Sequence, residues 1–163
     1  MKRGKKNKKT LGTDSATSNR IVFLSALLNS YKVAYLYAGG VAANLHGHVR
    51  ATKDLDILIP KDLKNTENLL EALSDLPYGI AKELDAQDVL KRAITIVGDS
   101  PRVDILTSAW NVKYADAFPR RVERKIQGVK IAYLSLADLI ESKKSSRPQD
   151  LADIIALQGI EEE

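Results

Sequence analysis

Between Tyr35 and Pro60 the chain places two adjacent glycines, Gly39 and Gly40, both of its histidines, His46 and His48, and two carboxylates one residue apart, Asp54 and Asp56. In an extended strand alternate side chains share a face, so "DLDILIP" sets Asp54 and Asp56 side by side and turns Leu55, Ile57 and Ile59 toward a core. Carboxylates so close repel unless a cation sits between them or solvent bathes both. A divalent ion such as Mg²⁺ suits the place, because it takes carboxylate oxygens together with waters and phosphates and needs no full protein cage. Glycines at a strand-to-helix turn let the backbone approach a phosphate closely, and the helix start behind them offers free N–H groups. Asp104 in "RVDIL", with Val103 and Ile105 facing the other way, is the candidate third carboxylate. The bland alternatives are a solvated edge strand, a plain glycine turn and an aspartate paired for structure.

The elements that must position these residues can be read from periodicity. "NRIVFLSALLNSYK" spaces Ile21, Phe23, Leu24, Leu27 and Leu28 as one helical face ending near Tyr31. "VAYLYAG" and "DLDILIP" read as strands, and "GVAANLHG" between them as a short helix. Asp62 is an N-cap for a helix carrying Leu63, Leu69, Leu70 and Leu73 near one stripe. "AITIVG" and "RVDILTSA" form a hairpin about "DSP", and "VERKIQGVKIAYLS" holds two more strands about "QG". Ser135 caps the next helix; in the last, Pro148 suits the first helical position and Gly159 a C-terminal cap. The fold class is therefore α+β, a mixed sheet with Asp54, Asp56 and Asp104 on adjacent strands and helices mainly on one face.

A chain of 163 residues, 44% hydrophobic, supports one domain with a core. There is no cysteine, which excludes disulfides and thiolate metal sites. No apolar run approaches the roughly 18 residues of a membrane span, and no signal-peptide pattern follows the lysine-rich start, so a soluble cytoplasmic protein is expected. The net charge of +4 is unevenly spread: residues 1–20 hold seven Lys or Arg against Asp14, leaving 18 basic and 20 acidic residues for 21–163. Residues 1–20 read as a basic, disordered arm and 21–163 as the single domain. Such an arm can hold nucleic-acid phosphates by counterion release or serve only as a solubilising extension.

"GGVAANLHGHVRATKDLDILI" followed by "RVDIL" resembles the minimal nucleotidyltransferases of the DNA polymerase β superfamily, whose pattern is a Gly-Gly or Gly-Ser turn, a D-x-D strand and a third Asp on a later strand. With "HG", "R-x-T-x-D-L-D" and a final "K-x3-R-x2-D-x2-D", it is similar to AbiEii-like and uncharacterised bacterial and archaeal nucleotidyltransferase proteins, some of them toxins. The resemblance spans about residues 33–158. It implies that Gly39 and Gly40 form the phosphate-binding turn, that Asp54, Asp56 and Asp104 bind Mg²⁺ or Mn²⁺, and that Asp104 helps deprotonate an acceptor hydroxyl that displaces pyrophosphate from an NTP. Gly40 stands where many active relatives carry a serine, so only backbone is offered there.

Arg50 and Thr52 either touch nucleotide phosphate or fix the loop before the strand, and Lys143 matches the late lysine that faces the triphosphate in the resembling family. His46 and His48 read as packing or loop hydrogen-bonding groups, since imidazole fits poorly beside an all-oxygen Mg²⁺ site. Arg147, Asp150 and Asp153 read as ties between the last two helices, and Lys144 as solvated. Two function classes follow: an NTP-dependent enzyme moving an NMP to RNA (tRNA included), protein or a small hydroxyl compound, as a toxin with an antitoxin partner in the closest resemblance; or a catalytically silent binding or regulatory domain.

Overall fold

The computed structural model describes residues 15–49, 51–77, 80–99, 101–145 and 147–161. Six strands form one mixed sheet: β1 (Leu36–Tyr37), β2 (Asp54–Leu58), β3 (Ile94–Val97), β4 (Arg102–Leu106), β5 (Val122–Ile126) and β6 (Val129–Tyr133), in the order β3-β4-β2-β1-β6-β5. β2 runs parallel to β4, and β1 to β6; the other neighbours are antiparallel. The helices among the described residues are α1 (Ser15–Ser30), α2 (Gly39–Leu45), α3 (Leu63–Leu73), α4 (Ala86–Lys91), α5 (Tyr114–Ala117), α6 (Leu136–Ser142) and α7 (Pro148–Glu161), with 3₁₀ turns at Ile80–Glu83 and Phe118–Arg120. This is the α+β mixed-sheet class the periodicity predicts. No helix among the described residues is long and apolar enough to cross a membrane.

Alternation along the neighbouring strands β2 and β4 builds the core. Leu55, Ile57, Val103 and Ile105 are all buried, each removing apolar surface worth roughly 1.5–3 kcal/mol. On the same face Tyr37, partner of Ile57, exchanges a 2.8 Å hydrogen bond with Ser25 of α1, so α1 covers the side of the sheet away from Asp54 and Asp56. α3 packs beside it, started by Asp62, whose carboxylate accepts from the Asn65 backbone N–H at 2.7 Å. Its Asn65 side chain then pairs with both backbone groups of Ala34.

Several expectations shift. Ile21, Leu24 and Leu28 form the buried face of α1, but Phe23 is 54% exposed, because two residues along a helix turn a side chain about 200° away from Ile21. Helix α1 reaches back to Ser15, so Ser15–Arg20, assigned to the arm from charge, are helical; residues 1–14 lie outside the described residues. Leu63 is also exposed and lines a cavity of about 440 Å³ with Leu70, Leu84 and Gln87. Gly159 does not cap α7: the helix runs on to Glu161 and carries Ile160 against the core. The "QG" turn holds, with Gln127 and Gly128 both at positive φ.

Candidate active site

The parallel pairing of β2 with β4 sets Asp56 directly opposite Asp104 and Asp54 opposite Arg102, all on one face. Three carboxylates and a guanidinium therefore share one side of the adjacent strands β2 and β4. Arg102 donates through Nε to Asp104 Oδ1 at 2.9 Å and through Nη2 to Oδ2 at 3.1 Å, and its Nε lies 3.5 Å from Asp54 Oδ1. Asp56 is left with least compensation. Burial, then the charges of Asp104 and Asp54, push its carboxyl up to about 6, and Lys143 pulls the other way. A carboxyl held that high reports an excess of negative charge in a partly dry place.

Gly39 forms the opposite wall. It sits at φ +55 at the start of α2, and a Cβ built there would lie 1.8 Å from Asp56 Oδ2. Only glycine tolerates both the left-handed backbone and that approach. The Ala38 N–H donates to the Asp56 carbonyl at 3.0 Å, which locks the turn to the carboxylate strand. Gly40 is buried in the first turn of α2, and its carbonyl accepts from the Asn44 side chain at 2.9 Å.

The other expected residues fall as follows. Thr52 donates its hydroxyl to the Asp54 carbonyl at 3.1 Å, closing the entry to β2, and Arg50 lies outside the described residues. Lys143, at the end of α6, is buried; its Nζ donates to Asp153 Oδ2 of α7 at 2.9 Å, and its charge acts on Asp56. Arg147 and Ser145, both in the segment between α6 and α7, bond Asp150 in the first turn of α7, whereas the tie from the end of α6 to α7 is Lys143 to Asp153. His46 donates through Nε2 to the Leu134 carbonyl, 2.8 Å away, and packs edge-on against Tyr133, while His48 lies 3.4 Å from Asp153. Lys144 is exposed and pairs with Glu141.

In kind, the donor set fits a hard divalent cation: every available ligand is a carboxylate oxygen, and Gly39 lets the Asp56 carboxylate lie so close to the turn's backbone that any side chain there would collide with it. In arrangement it is not yet a cage. Among the described residues no three His, Asp or Glu side chains surround a common cation position, and Arg102 occupies the gap between Asp54 and Asp104.

A family model described as "Nucleotidyltransferase of unknown function (DUF6036)" matches residues 20–162. The chain belongs to this family. No curated protein matches it. Among solved structures, the crystal structure of an antigenic nucleotidyltransferase-like protein from Paracoccidioides brasiliensis is similar in fold, with a TM-score of 0.53 at 18% identity over 86% of this chain and 74% of that one.

Two residues of this nucleotidyltransferase-family chain escape reading by motif. Arg102 was legible in principle, because "RVD" puts it on the face of Asp104, but its reach to Asp54 follows only from the strand pairing. Arg20 donates to the carbonyls of Thr52, at 2.5 Å, and Lys53, at 3.0 Å, so α1 braces the loop that delivers Asp54. Composition alone places Arg20 in the basic arm, and no local signal marks that role.

Proposed function

We propose that the protein is a metal-dependent nucleotidyltransferase that moves an NMP from an NTP to a hydroxyl acceptor. One observation carries the reading: Asp56 and Asp104 face each other across β2 and β4, Asp54 shares their face, and the Gly39 turn closes on Asp56. Asp54, Asp56 and Asp104 would hold Mg²⁺ or Mn²⁺. Bound there, the cation would supply Lewis-acid stabilisation of charge on the entering and leaving oxygens. The chain's own residues do the rest. The Gly39–Gly40 turn admits the triphosphate to within contact of the carboxylate strand, and the Lys143 charge limits repulsion between Asp56 and the phosphates. Thr52 and Arg20 hold the strand entry, and Arg50, two residues before Thr52 in sequence, would meet the nucleotide phosphates. Asp104 takes the acceptor's hydroxyl proton; the freed oxygen bonds the α-phosphorus, the α–β phosphoanhydride bond breaks, and pyrophosphate leaves.

The finer reading extends to a cytoplasmic protein related to AbiEii-like toxins, with RNA or tRNA as acceptor class and an antitoxin as partner. Motif order supports it, as does the lysine-rich composition of residues 1–14 ahead of a single domain that begins with helix α1. A second reading, a catalytically silent binding domain, is favoured by Arg102: both oxygens of Asp104 already accept from it, which opposes a role as base.

Incubation with each α-labelled NTP, Mg²⁺ or Mn²⁺ and a lysate separates the two. The enzyme reading expects a labelled acceptor with wild type; in Asp104→Ala nucleotide affinity is largely kept while transfer falls roughly 10²–10⁴-fold. Wild type that binds NTP and labels nothing supports the silent domain instead.

A further inference from the structure

The carboxylate cluster carries its own cation. Arg102 stands two residues before Asp104 on the same face of β4 and opposite Asp54 on β2. Its guanidinium therefore lies over the gap between two of the three carboxylates, bonded to both oxygens of Asp104 at 2.9 and 3.1 Å and 3.5 Å from Asp54 Oδ1. Exposure divides the pair unequally. The Asp104 side chain is 6% exposed and fixed in the sheet, whereas that of Arg102 is 38% exposed and has solvent to swing into. A forked guanidinium–carboxylate pair is among the stronger polar contacts, yet one whose cation is this exposed is screened and can open. Any divalent ion bound by Asp54 and Asp104 competes with it for the same oxygens.

We propose that Arg102 is a displaceable counter-cation: in the free protein it holds Asp54 and Asp104 and keeps metal affinity low, and it yields when metal arrives together with a nucleotide whose phosphates take over the guanidinium. The inference rests on the metal-dependent reading above and deepens it. Two driving forces combine in the exchange. The divalent ion replaces a single positive charge at the carboxylates, and the displaced guanidinium finds a polyanion instead of water. Metal and nucleotide then strengthen each other's binding by the same factor. The same displacement frees Asp104 to accept a proton, so the side chain that makes the free protein look silent is the one whose departure makes it competent.

Mn²⁺ binding, followed by the loss of the free-ion EPR signal, tests this on wild type, Arg102→Ala and Arg102→Lys, with and without an NTP analogue blocked at the α–β bridge. Arg102→Ala is expected to bind Mn²⁺ alone roughly 10–100-fold more tightly than wild type, the size expected for removing one competing charge within a few ångströms near a surface. The gain in Mn²⁺ affinity on adding the analogue should shrink by a similar factor. Arg102→Lys should fall between the two, since an ammonium lacks the fork that grips both oxygens. A purely structural arginine gives the opposite sign, because loss of its bonds would leave Asp104 misplaced and weaken Mn²⁺ binding. If Arg102→Ala does not fold, tighter Mn²⁺ binding by Arg102→Lys carries the test, and equal or weaker binding overturns the proposal. Wild type that binds Mn²⁺ with the analogue, beside an Arg102→Ala no tighter for Mn²⁺ alone, overturns the counter-cation role and leaves the metal-dependent reading standing. Absence of Mn²⁺ binding in every variant with or without analogue overturns both.

Discussion

Asp56→Asn should make the metal-free protein more stable at neutral pH. The native carboxyl is raised from 3.8 to about 6 by burial and by the neighbouring charges of Asp104 and Asp54. In the unfolded chain it returns to the ordinary value. Above pH 6 it is ionised in both states, and charging it inside the fold costs stability; below pH 4 it is protonated in both and costs nothing. Between these limits the folded state binds the extra proton, so this group's contribution becomes less favourable as pH rises. At 1.36 kcal/mol per pH unit, the interval from 3.8 to about 6 amounts to about 3 kcal/mol, an upper figure because the site keeps some contact with water. Asparagine has the same shape and no charge, so it escapes the cost. Urea denaturation of wild type and Asp56→Asn in chelator should therefore give equal stabilities near pH 4, diverging to an advantage of up to about 3 kcal/mol for the variant at pH 8. A difference independent of pH, or a variant less stable at pH 8, would refute the view that Asp56 is held under electrostatic strain.

Adding Mg²⁺ or Mn²⁺ with an NTP should raise the melting temperature of the wild type and leave that of Asp56→Asn unmoved, as differential scanning fluorimetry would show; an equal rise in both removes Asp56 from the metal site. Gly39→Ala must place a methyl 1.8 Å from Asp56 Oδ2 at φ +55. The backbone alone costs about 1–2 kcal/mol, lowering the melting temperature by on the order of 5 °C, and nucleotide affinity should fall with it; a variant with wild-type affinity would show that the turn takes no part. Arg20→Ala removes two charge-assisted bonds to the carbonyls of Thr52 and Lys53. It should cost about 1–2 kcal/mol and speed hydrogen exchange at residues 52–54, and exchange unchanged there would mean that α1 does not brace the loop.

The chemistry-bearing face was largely written in the sequence. Period-two alternation in "DLDIL" and "RVDIL" sorts aspartates from core residues with no knowledge of partners, because a strand's side chains alternate whatever lies beside it. The six strands, their class and the N-cap at Asp62 are equally local. Local rules also missed or misplaced elements: the 3₁₀ turn at Ile80–Glu83, α4, α5, and the end of α7, where the helix runs past Gly159 and the partly buried Ile160 packs against the core. What needed the tertiary structure was register. Only the parallel pairing of β2 with β4 decides that Asp56 meets Asp104 and that Arg102, two residues away on its own strand, meets Asp54; a slip of one residue would put Val103 opposite Asp56 and turn Asp104 into the core. The raised Asp56 carboxyl, the brace from Arg20 and the need for no side chain at Gly39 arise from segments distant in sequence brought within a few ångströms. Local sequence can specify which face a residue occupies, but distances between charges belong to the fold, and here those distances set the chemistry.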